Sequence, residues 1–320
     1  MPNSYSAPLI PSAFIWRRAH SLTGLWLVIF LIEHLLTNSQ AALFIGEDGK
    51  GFVHAVNFLN NLPYLPVIEV ILLGIPLLIH GAWGIRYLLT AQYNSFPGDG
   101  SSATLPQYGG NQAYTWQRIT SLILLIGIVA HVVQMRFLDA PIRAQIGSQQ
   151  LYLNRVEEDS GLYSLSKRLG FDLYDIIQIE ELKQTLSKKL IVHLDKEGKS
   201  EEGVLGQELQ QEQMFVAALD RLPLKEGQLI AVSPSFGMAE LLVVRDTFKS
   251  KMMILLYTGL VLAACFHAFN GLWTCMITWG ITLTARSQKM MRAIAIALMV
   301  IVTFLGLAAI WGTYWFNLMH

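Results

Sequence analysis

The sequence predicts an all-α membrane protein, a bundle of five transmembrane helices with a polar, α+β insert between helices three and four. Three observations carry this reading. The 320 residues are 53% hydrophobic and only 14% charged, with a mean hydropathy of +0.42, too apolar for a water-soluble domain of this size. Five segments reach the roughly 20 apolar residues that a bilayer crossing needs. The charges are segregated: between Asp139 and Lys251 stand 14 of the 23 Lys/Arg and 18 of the 23 Asp/Glu. Net charge is zero, and no basic face suggests nucleic acid as a partner.

The expected spans are Leu22–Ile45, Pro66–Leu89, Tyr114–Phe137, Met252–Leu283 and Ala293–Phe316. The fourth is longer than a bilayer requires, so it should tilt or project into water. This divides the chain into residues 1–138 with three spans, an insert at 139–250, and residues 251–320 with two spans. Arg17, Arg18, Arg86, Arg118, Arg286, Lys289 and Arg292 gather at one set of span ends. By the positive-inside rule those ends are cytoplasmic, which places the N-terminus inside and the insert and C-terminus outside a cytoplasmic (inner) membrane. No signal-peptide pattern precedes the first span. In the insert, "EELKQTLSKK" reads as helix, and "KLIVHLD" and "GQLIAVSP" read as strands. It carries no chemical motif, and His193 stands alone in it.

Cys265 and Cys275 share one span, about 15 Å apart along a helix, too far for a disulfide. No CxxC is present, so the chain should hold no iron–sulfur cluster of its own.

The chemistry sits in the spans. His34, His80, His131 and His267 lie near the middle of spans one to four, and the fifth has none. Ionisable groups at that depth are costly and need a partner or a function. Imidazoles facing one another from separate helices can clamp a haem iron from both sides. Gly84, Gly127 and Gly271 each lie four residues from one of these histidines, on the same helix face, where a missing side chain leaves room for a porphyrin; close helix packing would use the same glycines. Depth suggests the pairs. His34 lies 16 residues past Arg18 and His131 13 past Arg118, whereas His80 is six from Arg86. His34 therefore pairs with His131 in the outer half, and His80 with His267, partly by elimination, in the inner half.

The stretches "RRAHSLTGLWLVIFLIEHLLTN", "PLLIHGAWGIRY", "QRITSLILLIGIVAHV" and "FHAFNGLWTCMITWGIT" followed by "ARSQ" resemble the five-helix dihaem cytochrome b membrane anchor of succinate:quinone oxidoreductases, the succinate dehydrogenase and fumarate reductase family. The long insert departs from that family's pattern. The resemblance implies two haems b with iron held by His34, His80, His131 and His267. It implies a flavoprotein subunit with FAD and an iron–sulfur subunit on the cytoplasmic side. Electrons would pass from the clusters through the inner and outer haems to quinone, menaquinone in dihaem members, within the respiratory chain and tricarboxylic acid cycle.

Arg17, Arg18, His20, Ser21, Gln117 and Arg118 cluster at inner span ends, where arginines suit haem propionates and also follow from positive-inside bias. Glu33 and Glu69, the carboxylates of the spans, are candidates to relay quinone protons. One rival reading makes the insert the functional part, a binding module held on a membrane scaffold, and two more stand beside it. One is the dihaem anchor of another respiratory oxidoreductase. The other is a histidine-lined transporter or channel, for which no internal repeat speaks.

Overall fold

A computed structural model of the chain describes residues 10–43, 47–90, 95, 104–105, 107–195 and 202–319. Five helices are long and apolar enough to cross a membrane: α1 (Ser12–Ser39), α3 (Leu65–Thr90), α4 (Gly109–Leu138), α9 (Lys251–Thr278) and α10 (Ala285–Leu318). A helix satisfies every backbone polar group internally, which a lipid-facing segment must do. The protein is therefore a multi-pass membrane protein, mostly helical. Single π-helical turns interrupt α3 at Val70–Gly74, α4 at Gln134–Leu138 and α10 at Ala308–Gly312.

Several spans differ from the expected bounds: the third and fifth begin five and eight residues earlier, at Gly109 and Ala285, and the first and fourth differ as well. The first begins ten residues earlier than Leu22 and ends at Ser39, so Arg17 and Arg18 are helical. The fourth does not run to Leu283: α9 stops at Thr278. Gly280 takes the left-handed conformation at φ +71°. Gly280 N–H bonds Ile277 O at 3.0 Å and Ile281 N–H bonds Met276 O at 2.9 Å, a Schellman closure that hydropathy does not register.

The chain divides into two compact units. The first comprises residues 1–36, 63–131 and 256–307. Within it α9 buries Val261, Cys265, Phe269 and Leu272, spaced as one helical stripe. Gly306 of α10 lies against this stripe, where a Cβ would stand 2.7 Å from Val261 Cγ1; small residues let membrane helices approach this closely. Leu262, Ile296, Val300 and Phe304 are exposed, as lipid-facing side chains are.

The second unit comprises residues 37–62, 132–255 and 308–320. It is α+β. Its four-stranded sheet contains β1 (Ile142–Ile146), β2 (Gln149–Glu157), β3 (Asp172–Tyr174) and β4 (Gln228–Ser233). The order is β1-β2-β4-β3, antiparallel throughout. The helices are α2 (Lys50–Asn60), α5 (Leu162–Leu169), α6 (Ile176–Asp195), α7 (Glu202–Asp220) and α8 (Phe236–Thr247). Strand β4 alternates: Leu229 and Ala231 pack with Leu162, Leu165, Met238 and Leu242, while Ile230 and Val232 pack with Ile179, Ala218 and Leu219. Helices thus cover both faces of a central strand, which is why "GQLIAVSP" reads as an apolar run rather than an alternating one. Val53 of α2 packs against the first cluster.

"KLIVHLD" is not a strand. Lys189–Asp195 continue α6, and Ile191 and Val192 are exposed. Extending a formed helix adds one hydrogen bond per residue, whereas a strand here would need a free sheet edge. Lys189 Nζ also binds Glu212 of α7 at 2.6 Å. Cys265 and Cys275 are free thiols, as their spacing required.

Candidate functional site

The four mid-span histidines come from α1, α3, α4 and α9, and the structure brings them together in couples. The rings of His34 and His131 are 5.9 Å apart, centroid to centroid, at 74°. Those of His80 and His267 are 6.1 Å apart at 82°. A metal held by imidazole stands about 2 Å from the nitrogen, so two rings sharing one metal have centroids roughly 6 Å apart. Both couples have that spacing. Among the described residues no group of three or more His, Cys, Asp or Glu is placed to hold a metal ion.

The second ring nitrogens of His80, His267 and His131 are engaged. His80 Nδ1 lies 3.0 Å from His20 O and His267 Nδ1 lies 3.2 Å from Gln117 O. A carbonyl only accepts, so each Nδ1 carries the proton and each Nε2 keeps its lone pair. His131 Nδ1 is 3.2 Å from Tyr257 Oη. The backbone oxygen of His267 accepts from Gln117 Nε2 at 3.0 Å. Asn270 Nδ2 donates to Gln117 Oε1 at 2.7 Å, and Trp273 Nε1 donates to Asn270 Oδ1 at 2.9 Å. This chain of amides ties α4 to α9 beside the histidine.

Gly24 and Tyr257 escaped the sequence reading, and His20, grouped there with the residues of the inner span ends, proves to be a direct neighbour of His80. The His20 ring stacks on His80 at 4.0 Å and 10°, and its buried Nδ1 has no hydrogen-bond partner among the described residues. Gly24 lies against His80, where a Cβ would meet Cε1 at 2.7 Å and Nδ1 at 3.1 Å. His20 and Gly24 share one helix face, a signal "HSLTG" carried. Tyr257, one tyrosine in an apolar span, carried none.

The remaining candidates scatter. Arg17 is exposed. Arg18 donates to Thr278 O at 3.3 Å and lies over the Phe14 ring at 3.6 Å. Ser21 meets Cys275 Sγ at 3.1 Å and accepts from Trp279 Nε1 at 3.3 Å. Arg118 is buried, its guanidinium 4.1 Å from the Tyr114 ring centre. Of the three glycines, Gly127 faces Leu260, whose Cδ1 would stand 2.6 Å from an added Cβ, a helix-packing contact. A Cβ on Gly84 or Gly271 would meet only His20 Cε1 at 3.9 Å or Gln117 Nε2 at 3.6 Å. Glu33 is exposed and Glu69 half-buried at the edge of the π turn in α3.

Outside the spans two carboxylates stand out. Burial pushes Glu240 of α8 up to about 7, against the pull of Arg136 and with a further push from Asp139. Asp159 accepts from Arg245 at 2.6 and 2.7 Å, pairs with Lys249 at 2.8 Å, and receives the N–H groups of Gly161 and Leu162. It is partly desolvated, and these bonds outweigh that burial to hold its carboxyl below the usual carboxylate range.

The chain is similar to the succinate dehydrogenase cytochrome b558 subunit of Bacillus subtilis (strain 168), with 26% identity over 300 residues, 93% of this chain and 96% of that protein. The resemblance read from the four histidine-bearing stretches is thus borne out over nearly the whole chain. No family model matches, and no solved structure matches.

Proposed function

We propose that this chain is the membrane-anchor cytochrome b of a respiratory succinate dehydrogenase or fumarate reductase, a subunit of an enzyme whose dicarboxylate chemistry lies on a partner chain. The observation that carries the reading is the pair of facing imidazole couples, contributed by four separate helices at the spacing of a shared metal. Similarity to a succinate dehydrogenase cytochrome supports it. Two bound haems b would carry electrons one at a time from an iron–sulfur subunit to quinone, menaquinone by the family resemblance.

The chain's own residues then have definite tasks. His34 and His131 offer nitrogen lone pairs for the outer iron, His80 and His267 for the inner one. The carbonyls of His20 and Gln117 fix the ring tautomers of the inner couple. Arg118 and Arg18, with Arg17, Ser21 and Gln117 nearby in sequence, offer charge and donors to the inner propionates. Gly84 and Gly271 keep helix faces bare beside the rings, while Gly127 lets α4 pack closely against Leu260. Glu69 and Glu33, the carboxylates of the spans, would exchange protons with quinone. Positive-inside bias puts the flavoprotein and iron–sulfur partners at the Arg-rich ends and the insert of residues 139–250 outside.

The test is a pyridine haemochrome count with a reduced-minus-oxidised spectrum on the detergent-solubilised complex. Two b-type haems per chain support the proposal. No haem sinks it and leaves the histidines to a proton or ion path.

A further inference from the structure

The two histidine couples differ in what holds their second nitrogens. In the inner couple both rings donate Nδ1–H to backbone carbonyls, at 3.0 and 3.2 Å, and Thr120 Oγ1 also stands 3.4 Å from His267 Nδ1. In the outer couple His131 Nδ1 meets a side chain, Tyr257 Oη, at 3.2 Å, with the two rings edge-on at 81° and 5.6 Å. A phenol hydroxyl can donate or accept. If it donated to Nδ1, the proton of neutral His131 would move to Nε2 and that nitrogen could not bind a metal. If it accepts, Nε2 keeps its lone pair.

We propose that Tyr257 is a positioning residue of the outer metal centre. Its hydroxyl oxygen accepts from His131 Nδ1–H, fixes the ring tautomer and turns Nε2 toward His34. The inference rests on the haem reading above. A ligand imidazole whose other N–H is hydrogen-bonded to an acceptor becomes a stronger donor to its metal. Electron donation favours the ferric over the ferrous ion, so the bond lowers the outer reduction potential.

Tyr257→Phe keeps the ring and removes the oxygen. The experiment is a redox titration of the intact complex followed by its haem spectrum, with electron paramagnetic resonance of the ferric state. His131→Ala identifies which signals are the outer ones. The expected result is an unchanged haem count, a higher outer midpoint potential, a moved outer ferric signal, and an inner couple that does not respond. A variant with both potentials and both signals unmoved overturns the role of Tyr257 while leaving the haem reading intact. A response confined to the inner couple overturns it equally. A wild-type chain without haem overturns both readings together.

Discussion

Gly24 is the position where a single methyl group tests the inner couple without touching a ligand. A Cβ there would stand 2.7 Å from His80 Cε1 and 3.1 Å from Nδ1, closer than real side-chain contacts. The ring cannot simply lean away. Its other neighbour, His20, is stacked at 4.0 Å, and its Nδ1 is held by His20 O at 3.0 Å. Gly24→Ala must therefore shift the His80 ring by several tenths of an ångström or part the helices. Overpacking of this kind costs about 1–3 kcal/mol. Spent on the geometry of one ligand, that corresponds to roughly 5- to 140-fold weaker retention of the inner haem. The assay is haem transfer from the purified complex to an apoprotein acceptor, with the two haems followed by their separate α-band spectra. The inner haem should leave faster and the outer one at the wild-type rate, and Gly24→Val should exaggerate the difference. Equal retention of both haems in Gly24→Val would refute the reasoning, because no ring held as His80 is can accommodate an isopropyl group unmoved.

Replacing His34 or His131 by Ala should remove one haem and spare the other, and replacing His80 or His267 should remove the complementary one; a pyridine haemochrome count checks this, and loss of both or neither counts against the couples. Glu240 has a folded-state value near 7 against an ordinary 4.5, so the folded chain binds the extra proton and stability falls as pH rises through that window, by about 3 kcal/mol. Glu240→Gln should abolish this dependence and raise the melting temperature of the full chain at pH 8 relative to pH 5; an unchanged difference between the two pH values contradicts the assignment. Asp159 has the opposite sign. Its stabilisation is present above about pH 3.9 and fades as pH falls through its depressed folded value. Asp159→Asn should cost about 1–2 kcal/mol at neutral pH after allowance for solvent screening, visible as faster amide exchange in residues 157–169 and 236–249.

Much of the fold was legible because lipid leaves the backbone few options. A long apolar run must be helical, and all five spans were found from hydropathy alone. Their ends were not, since Gly280 closes α9 by a backbone conformation that composition does not encode. The insert shows the same division in water. "GQLIAVSP" became a strand because β4 is central and buried on both faces. "KLIVHLD" holds equally β-branched residues and became helix, because α6 was already formed and its Ile191 and Val192 stay exposed. Local propensity was alike in the two, and tertiary surroundings separated them.

The sequence by itself determined the number of spans, the segregation of charge, and the presence of a mid-span histidine in four of them; the first two follow from the cost of burying polar groups in hydrocarbon. Counting residues from the flanking arginines also suggested the depths of His34, His80 and His131, because rise per residue is fixed in a helix. Only the tertiary structure decided which way those helices are turned. Rotation about the helix axis brought His20 onto His80, closed Gly24 against its ring, and set Tyr257 beside His131. None of these contacts is encoded by composition or period: each depends on side chains of two helices meeting at a packed interface, and that meeting is fixed by the bundle as a whole.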